Sequence, residues 1–161
     1  MVLPANPDDR PAVPVKPPIV LIALLALGVA LQWFAPVGGG LFAWGADGLL
    51  AGVIFGAAGV LIASSAMRGF VQAGTTVMPD RPNAALVKTG LYKYSRNPMY
   101  IGLILIYAGL AALLGSVWSF VLLPAFIGYI RYFAVAREEA YLKRRFGETY
   151  VAYMRKIPRW F

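Results

Sequence analysis

Apolar residues run along this chain in blocks. Ile19 to Ala35 is almost wholly apolar, Gly48 to Met67 gives 20 uncharged residues, and Asn97 to Ile130 holds 34 residues without a charge. The basic residues crowd into 68–96 and 131–159 instead. About 20 apolar residues in helical form cross ~30 Å of hydrocarbon, so the first two blocks predict one membrane helix each. The third is too long for one span and barely enough for two. Gly115-Ser116 near its middle supplies a tight turn, which predicts a helical hairpin of 98–114 and 117–136. The expected fold class is therefore all-α: a polytopic membrane protein with four transmembrane helices, the last two a hairpin. Ile19–Ala35 also reads as a signal-peptide apolar region, but it is long for one and no A-x-A pattern follows, so a retained first span is expected.

Three regions follow. Residues 1–18, rich in proline and carrying Asp8, Asp9, Arg10 and Lys16, read as a flexible tail. Residues 19–136 form the four-span domain with a polar loop at 68–97, and 137–161 form a helical segment outside the membrane. Within the domain, Gly48, Gly52 and Gly56 clear one helix face for a neighbouring backbone, and Pro124 is expected to kink the last span. Beyond it, Arg137–Arg145 extends that span, Phe146-Gly147 ends it, and Glu148–Arg155 reads as a short amphipathic helix with Tyr150, Tyr153 and Met154 on one face. Pro158-Arg159-Trp160-Phe161 reads as an aromatic anchor at headgroup depth.

Composition agrees. With 161 residues, a mean hydropathy of +0.67 and 14% charged residues, the chain has too much apolar surface for one soluble core. Cysteine and histidine are absent, which removes disulfides and the usual ligands of zinc and most transition metals, so no metal is expected. A net charge of +8 would fit nucleic acid on a soluble face; beside apolar spans it fits membrane lipids with anionic headgroups. All 15 basic residues fall in the tail, the 68–97 loop or the C-terminal part from Arg131 onward, none in 36–47 or 115–116, which predicts both termini on the cytoplasmic side.

Ionisable groups are plentiful only in the 86–100 stretch and the segment after the last span, which that topology puts together. Pro98 can begin a helix, whose first turn offers free N–H groups and a positive dipole end to a carboxylate or phosphate. Arg96 adds a planar fork for the same anion, or simply snorkels to lipid phosphate. Glu138 and Glu139 are adjacent and point about 100° apart, so one of them is expected to be structural. Arg131, Glu138 and Leu142 are spaced as one stripe of an α-helix. A carboxylate on it accepts from ribose hydroxyls, counters a cation, or is merely solvated.

The run Leu86-Val87-x-x-Gly90-x-Tyr92-x-x-x-Arg96-Asn97-Pro98-x-Tyr100-x-Gly102, followed by Glu138-Glu139-x-x-Leu142-x-x-x-Phe146-Gly147-x-x-Tyr150-x-x-Tyr153, resembles the isoprenylcysteine carboxyl methyltransferase family, a bacterial-type short member of it. The likeness covers roughly residues 75–161. It implies an integral membrane enzyme, of a bacterial inner membrane, that uses S-adenosylmethionine as cofactor. By that likeness the cofactor lies against Ala84, Ala85, Leu86, Val87, Tyr92, Arg96, Asn97, Pro98, Met99, Tyr100, Glu138 and Leu142. Arg131 and Glu139 are the candidates for a catalytic part.

Two positions depart from the family. Asn97 stands where members commonly have His; it keeps a donor and an acceptor but cannot titrate near neutrality. Ala134 stands where the eukaryotic enzymes place an Arg toward the substrate carboxylate, which leaves Arg131, one turn earlier, as its substitute. A methyl acceptor that arrives as carboxylate or thiolate needs no base; an amine would need Glu138, Glu139 or a Tyr. Tyr92 and Tyr100 suit a sulfonium by cation–π contact. The expected substrate is a lipophilic molecule or lipid arriving sideways from the bilayer. A phospholipid N-methyltransferase, an NADPH-dependent membrane sterol-type reductase and a four-helix transporter are the alternatives.

Overall fold

The computed structural model describes residues 11, 13–75 and 84–160. Most of the tail, Arg81 and Phe161 lie outside the described residues. Among the described residues every regular element is helical. They are α1 (Pro17–Phe34), α2 (Gly45–Gln72), a short 3₁₀ turn (Gly90–Lys93), α3 (Pro98–Leu114), α4 (Val117–Tyr129), a π-helical turn (Ile130–Val135), α5 (Ala136–Phe146) and α6 (Glu148–Lys156).

Three helical runs are long and apolar enough to cross a membrane: Pro17–Phe34, Gly45–Gln72 and the continuous Val117–Phe146. The fourth expected span, α3, has 17 residues and falls just below that length. α1, α2 and α4 all pack against it, and none of its residues is exposed. The outer helices carry the exposed apolar side chains, among them Ile22, Trp33, Leu50, Ile54 and Leu61. α2 runs past Arg68 to Gln72, because a charge ends an apolar block without ending a helix.

The hairpin follows the expected bounds. Gly115 ends α3 with φ +61°, a conformation that glycine adopts without strain, and Ser116 caps α4 by accepting from the Ser119 N–H at 3.2 Å. The Ser116 hydroxyl donates in turn to the Gly28 carbonyl at 3.2 Å, tying α1 to the turn. The buried Gln32 donates to the carbonyls of Val37 and Gly39 at 2.8 and 2.6 Å, which satisfies the loop after α1 within the protein. Phe42 N–H donates to Leu114 O at 2.8 Å, so the loop 36–44 and the 115–116 turn share one end of the bundle. At the other end, Tyr129 Oη donates to Val15 O and accepts from Val15 N–H, beside the start of α5.

α2 and α3 meet along glycine. A β-carbon added at Gly109 would lie 2.6 Å from Gly56 N, and one at Gly59 would lie 2.7 Å from Gly102 O. Gly48 and Gly52 belong to the same face, as their spacing predicts. Gly56 contributes only its backbone, since a β-carbon there would meet nothing.

Pro124 sits inside α4 without ending it. The irregularity comes further on, at the π turn of 130–135. A π turn holds one residue more than an α turn, so the helix beyond it is rotated relative to the helix before it.

Candidate functional site

The turn Ser95-Arg96-Asn97 leads into α3 and is stitched to a strap formed by residues 157–160. Arg96 N–H donates to Pro158 O at 3.0 Å, while Ser95 Oγ and Asn97 Nδ2 both donate to Arg159 O, at 3.2 and 3.0 Å. The Arg159 guanidinium then reaches Glu139 through two bonds, Nε to Oε1 at 3.1 Å and Nη2 to Oε2 at 2.6 Å. Arg96 Nη1 approaches the same carboxylate at 2.8 Å. Glu139, 6% exposed, is thus clamped between two guanidinium groups. Two charge-assisted partners offset the cost of burying it. The sequence reads the 158–161 stretch as an anchor facing lipid; here Pro158 and Arg159 serve the turn, and Trp160 packs against the bundle core.

Glu138 faces different surroundings. Its carboxylate accepts from the Tyr100 hydroxyl, and among the described residues no cation draws its proton off. Burial pushes its pKa up to about 7, with the adjacent Glu139 adding to the rise and the Tyr100 bond opposing it. Burial likewise pushes Tyr150 up to about 12 and raises Tyr92 and Tyr153, so these phenols stay protonated. Tyr153 Oη donates to Tyr92 O at 2.7 Å, locking α6 onto the 3₁₀ turn.

One cleft gathers most of the expected site. Ala85, Leu86, Val87 and Tyr92 line it from the loop, and Arg96, Asn97, Met99 and Tyr100 from the turn into α3. Glu138, Glu139 and Leu142 line it from α5. Ala84, Pro98 and Arg131 are not among its lining residues. Ala84 is exposed and donates its N–H to Thr75 Oγ1 at 2.9 Å, and Pro98 is buried at the start of α3. Arg131 is exposed, with its guanidinium 5.5 Å from the centre of the Tyr132 ring. The stripe of Arg131, Glu138 and Leu142 holds only for an unbroken α-helix, and the π turn takes Arg131 off it.

Phe70, Tyr150 and Tyr153 also line the cleft, and Arg159 completes its ion cluster. The two tyrosines are legible as the apolar face of α6, but nothing local to Phe70 or Arg159 announces them.

Among the described residues the cleft offers a ligand one carboxylate without a counter-ion, Glu138, and a buried donor on Arg96, Nε, that is not used on Glu139. Arg96 Nε and Nη1 are buried without a hydrogen-bond acceptor among the described residues, although Nη1 lies close to Glu139. A small zwitterionic or cationic molecule with an apolar or aromatic part fits such lining, and no metal-binding cluster exists among the described residues.

A family model described as phospholipid methyltransferase matches residues 48–149. Protein-S-isoprenylcysteine O-methyltransferase of Schizosaccharomyces pombe is 32% identical over 102 residues, which are 62% of this chain and 43% of the yeast protein. The chain thus spans less than half the length of that relative. An uncharacterized protein of Haemophilus influenzae is 39% identical over 62 residues, 38% of this chain and 98% of that protein. No solved structure matches the chain. The family match runs from α2 through the loop, the hairpin and α5 into α6, covering both helix bundle and cleft, and this integral membrane chain belongs to the phospholipid methyltransferase family.

Proposed function

We propose that this protein transfers a methyl group from S-adenosylmethionine to a lipophilic acceptor that reaches the cleft from the bilayer. The observation that carries the reading is the pairing, in one cleft at the end of an apolar bundle, of Glu138, without a counter-ion among the described residues, with the unspent Nε donor of Arg96. Those groups complement the positive and carboxylate parts of that cofactor. Family membership supports methyl transfer over the reductase and transporter alternatives. In this reading the chain forms four spans, with residues 11–16 and 137–160 on the cytoplasmic side of a bacterial inner membrane.

When bound, S-adenosylmethionine supplies an electrophilic methyl carbon on a sulfonium. The protein's part is to bind, orient and exclude water. Ionised Glu138 balances positive charge, and the Tyr100 hydroxyl fixes its carboxylate. Arg96 holds the opposite end of the ligand, kept in place by Glu139. Val87, Tyr92, Met99 and Leu142 pack its apolar parts, with Ala85 and Leu86 beside them. Asn97, whose amide donates to Arg159 O, and Pro98 frame the turn, while Ala84 is assigned to the outer edge of the loop beside Ala85. Arg131 is assigned to the polar end of the acceptor at the bundle edge.

A carboxylate or thiolate acceptor, already deprotonated, requires nothing further. An amine acceptor is the second reading, favoured by the family description and by a Glu138 whose pKa near 7 suits it to take a proton. Calorimetric titration of the purified protein with S-adenosylhomocysteine and with NADPH tests the cofactor: the first binds and the second does not. Binding unaltered by both Arg96→Ala and Glu138→Ala sinks the proposal. Radiolabelled methyl transfer to prenylcysteine analogues, compared with phosphatidylethanolamine, separates the two acceptor readings.

A further inference from the structure

Beside the cleft, on the outer side of Tyr153, lies a groove of about 270 Å³ that the methyl-transfer reading does not use. Lys88 comes to it from the loop, Lys93 from the 3₁₀ turn and Lys156 from the last turn of α6. Thr149 adds a hydroxyl, and Ala152, Ile157 and the Tyr153 ring give it apolar lining. Among the described residues no carboxylate lines it; Glu148, next to Thr149, does not. Three separate elements thus each contribute a lysine to one groove that also has apolar lining. Such a groove suits an anion that carries an apolar body.

We propose that this groove is a second binding site, for the headgroup of an anionic phospholipid. A lipid is the source, rather than free phosphate, because the groove is partly apolar and lies at the membrane bundle: Trp160, just beyond Ile157, packs against the bundle core. Lysines near an anionic leaflet each strengthen association several-fold, and three acting together give roughly tenfold or more. Tyr153 is a wall shared with the cleft, so a lipid seated in the groove rests against the residue that locks α6 to the 3₁₀ turn.

Native mass spectrometry of the purified full chain, equilibrated with equal amounts of phosphatidylglycerol and phosphatidylcholine, tests the proposal without any turnover. It therefore stands or falls apart from the methyl-transfer reading. The wild type retains phosphatidylglycerol by roughly tenfold over phosphatidylcholine. K88Q/K93Q/K156Q brings that ratio close to one, while K88R/K93R/K156R and the unrelated Lys143→Gln keep it. Thr149→Trp, which fills the groove without touching charge, also lowers retention and covers the case in which the triple variant fails to fold. Equal retention of the two lipids by the wild type, or a ratio unchanged in both the triple Gln variant and Thr149→Trp, overturns the proposal. Displacement of the lipid by excess inorganic phosphate overturns the lipid source in favour of a soluble phosphate.

Discussion

The seam between α2 and α3 and the cluster that ties the start of α3 to α5 and the 157–160 strap hold their elements by opposite means. The seam is bare backbone: Gly52, Gly56 and Gly59 against Gly102 and Gly109, with no charge and nothing to titrate. The cluster is all side chain, with Arg96, Glu139 and Arg159 buried or half-buried in one network and Glu138 left out of it. Close packing makes the seam insensitive to pH and salt but intolerant of one extra carbon. Paired charge makes the cluster tolerant of shape but intolerant of losing a partner.

Glu139→Ala breaks the cluster most severely. It leaves Arg96 and Arg159 facing each other without a counter-ion and costs roughly 3–5 kcal/mol, read as a lowered midpoint of thermal unfolding in detergent. A neutral result would mean that the two arginines find other anions. Next comes the seam: Gly109→Ala puts a β-carbon against the Gly56 backbone and costs roughly 1–3 kcal/mol, whereas Gly56→Ala, open on its own side, costs far less. Equal effects at the two positions would remove the asymmetry described here.

Glu138 sharpens the contrast by running the other way. Its folded pKa of about 7 lies above its ordinary value of 4.5, so the folded state holds the proton more firmly across that window. Stability therefore falls as pH rises from about 4.5 to about 7 and is level beyond. Glu138→Gln removes this slope and is more stable than wild type at pH 8 by roughly 3 kcal/mol, the two converging near pH 4.5. The same variant loses cofactor binding in the proposed function, and wild-type affinity for a cationic ligand drops roughly tenfold from pH 8 to pH 6. The smallest effect belongs to Asn97→Ala. It removes one of two donors to Arg159 O and costs about 1 kcal/mol, with ligand affinity changed less than in Arg96→Ala.

Much of this was legible in the sequence because it is local. Gly115-Ser116 marks the hairpin turn, Gly147 the end of α5, and Gly48 and Gly52 the seam, each through a property of the residue itself. Ala85–Val87, Tyr92, Arg96, Asn97, Met99, Tyr100, Glu138 and Leu142, which the resemblance groups together, line one cleft. Other features are not local. The π turn lies in the stretch Ile130–Val135, whose apolar pattern gives no phase to read, so Arg131 could not be told from a member of the Glu138 stripe. Arg159 pairs with Glu139 across 20 positions, and a tail rich in basic and aromatic residues fits a lipid anchor equally well until its carbonyls are seen bonded to the 95–97 turn. Which glutamate is structural was set by tertiary partners, not by helical spacing.

The enclosure of α3 has a consequence for the membrane itself. A helix with no fully exposed residue offers acyl chains less surface than the outer helices do, so its 17 residues are less bound to match the thickness of the bilayer. Mismatch is taken up by the helices around it, through tilt and local thinning. The turn that opens α3 carries Arg96 and Tyr100, and it is thereby partly insulated from changes in lipid chain length that the outer helices must follow.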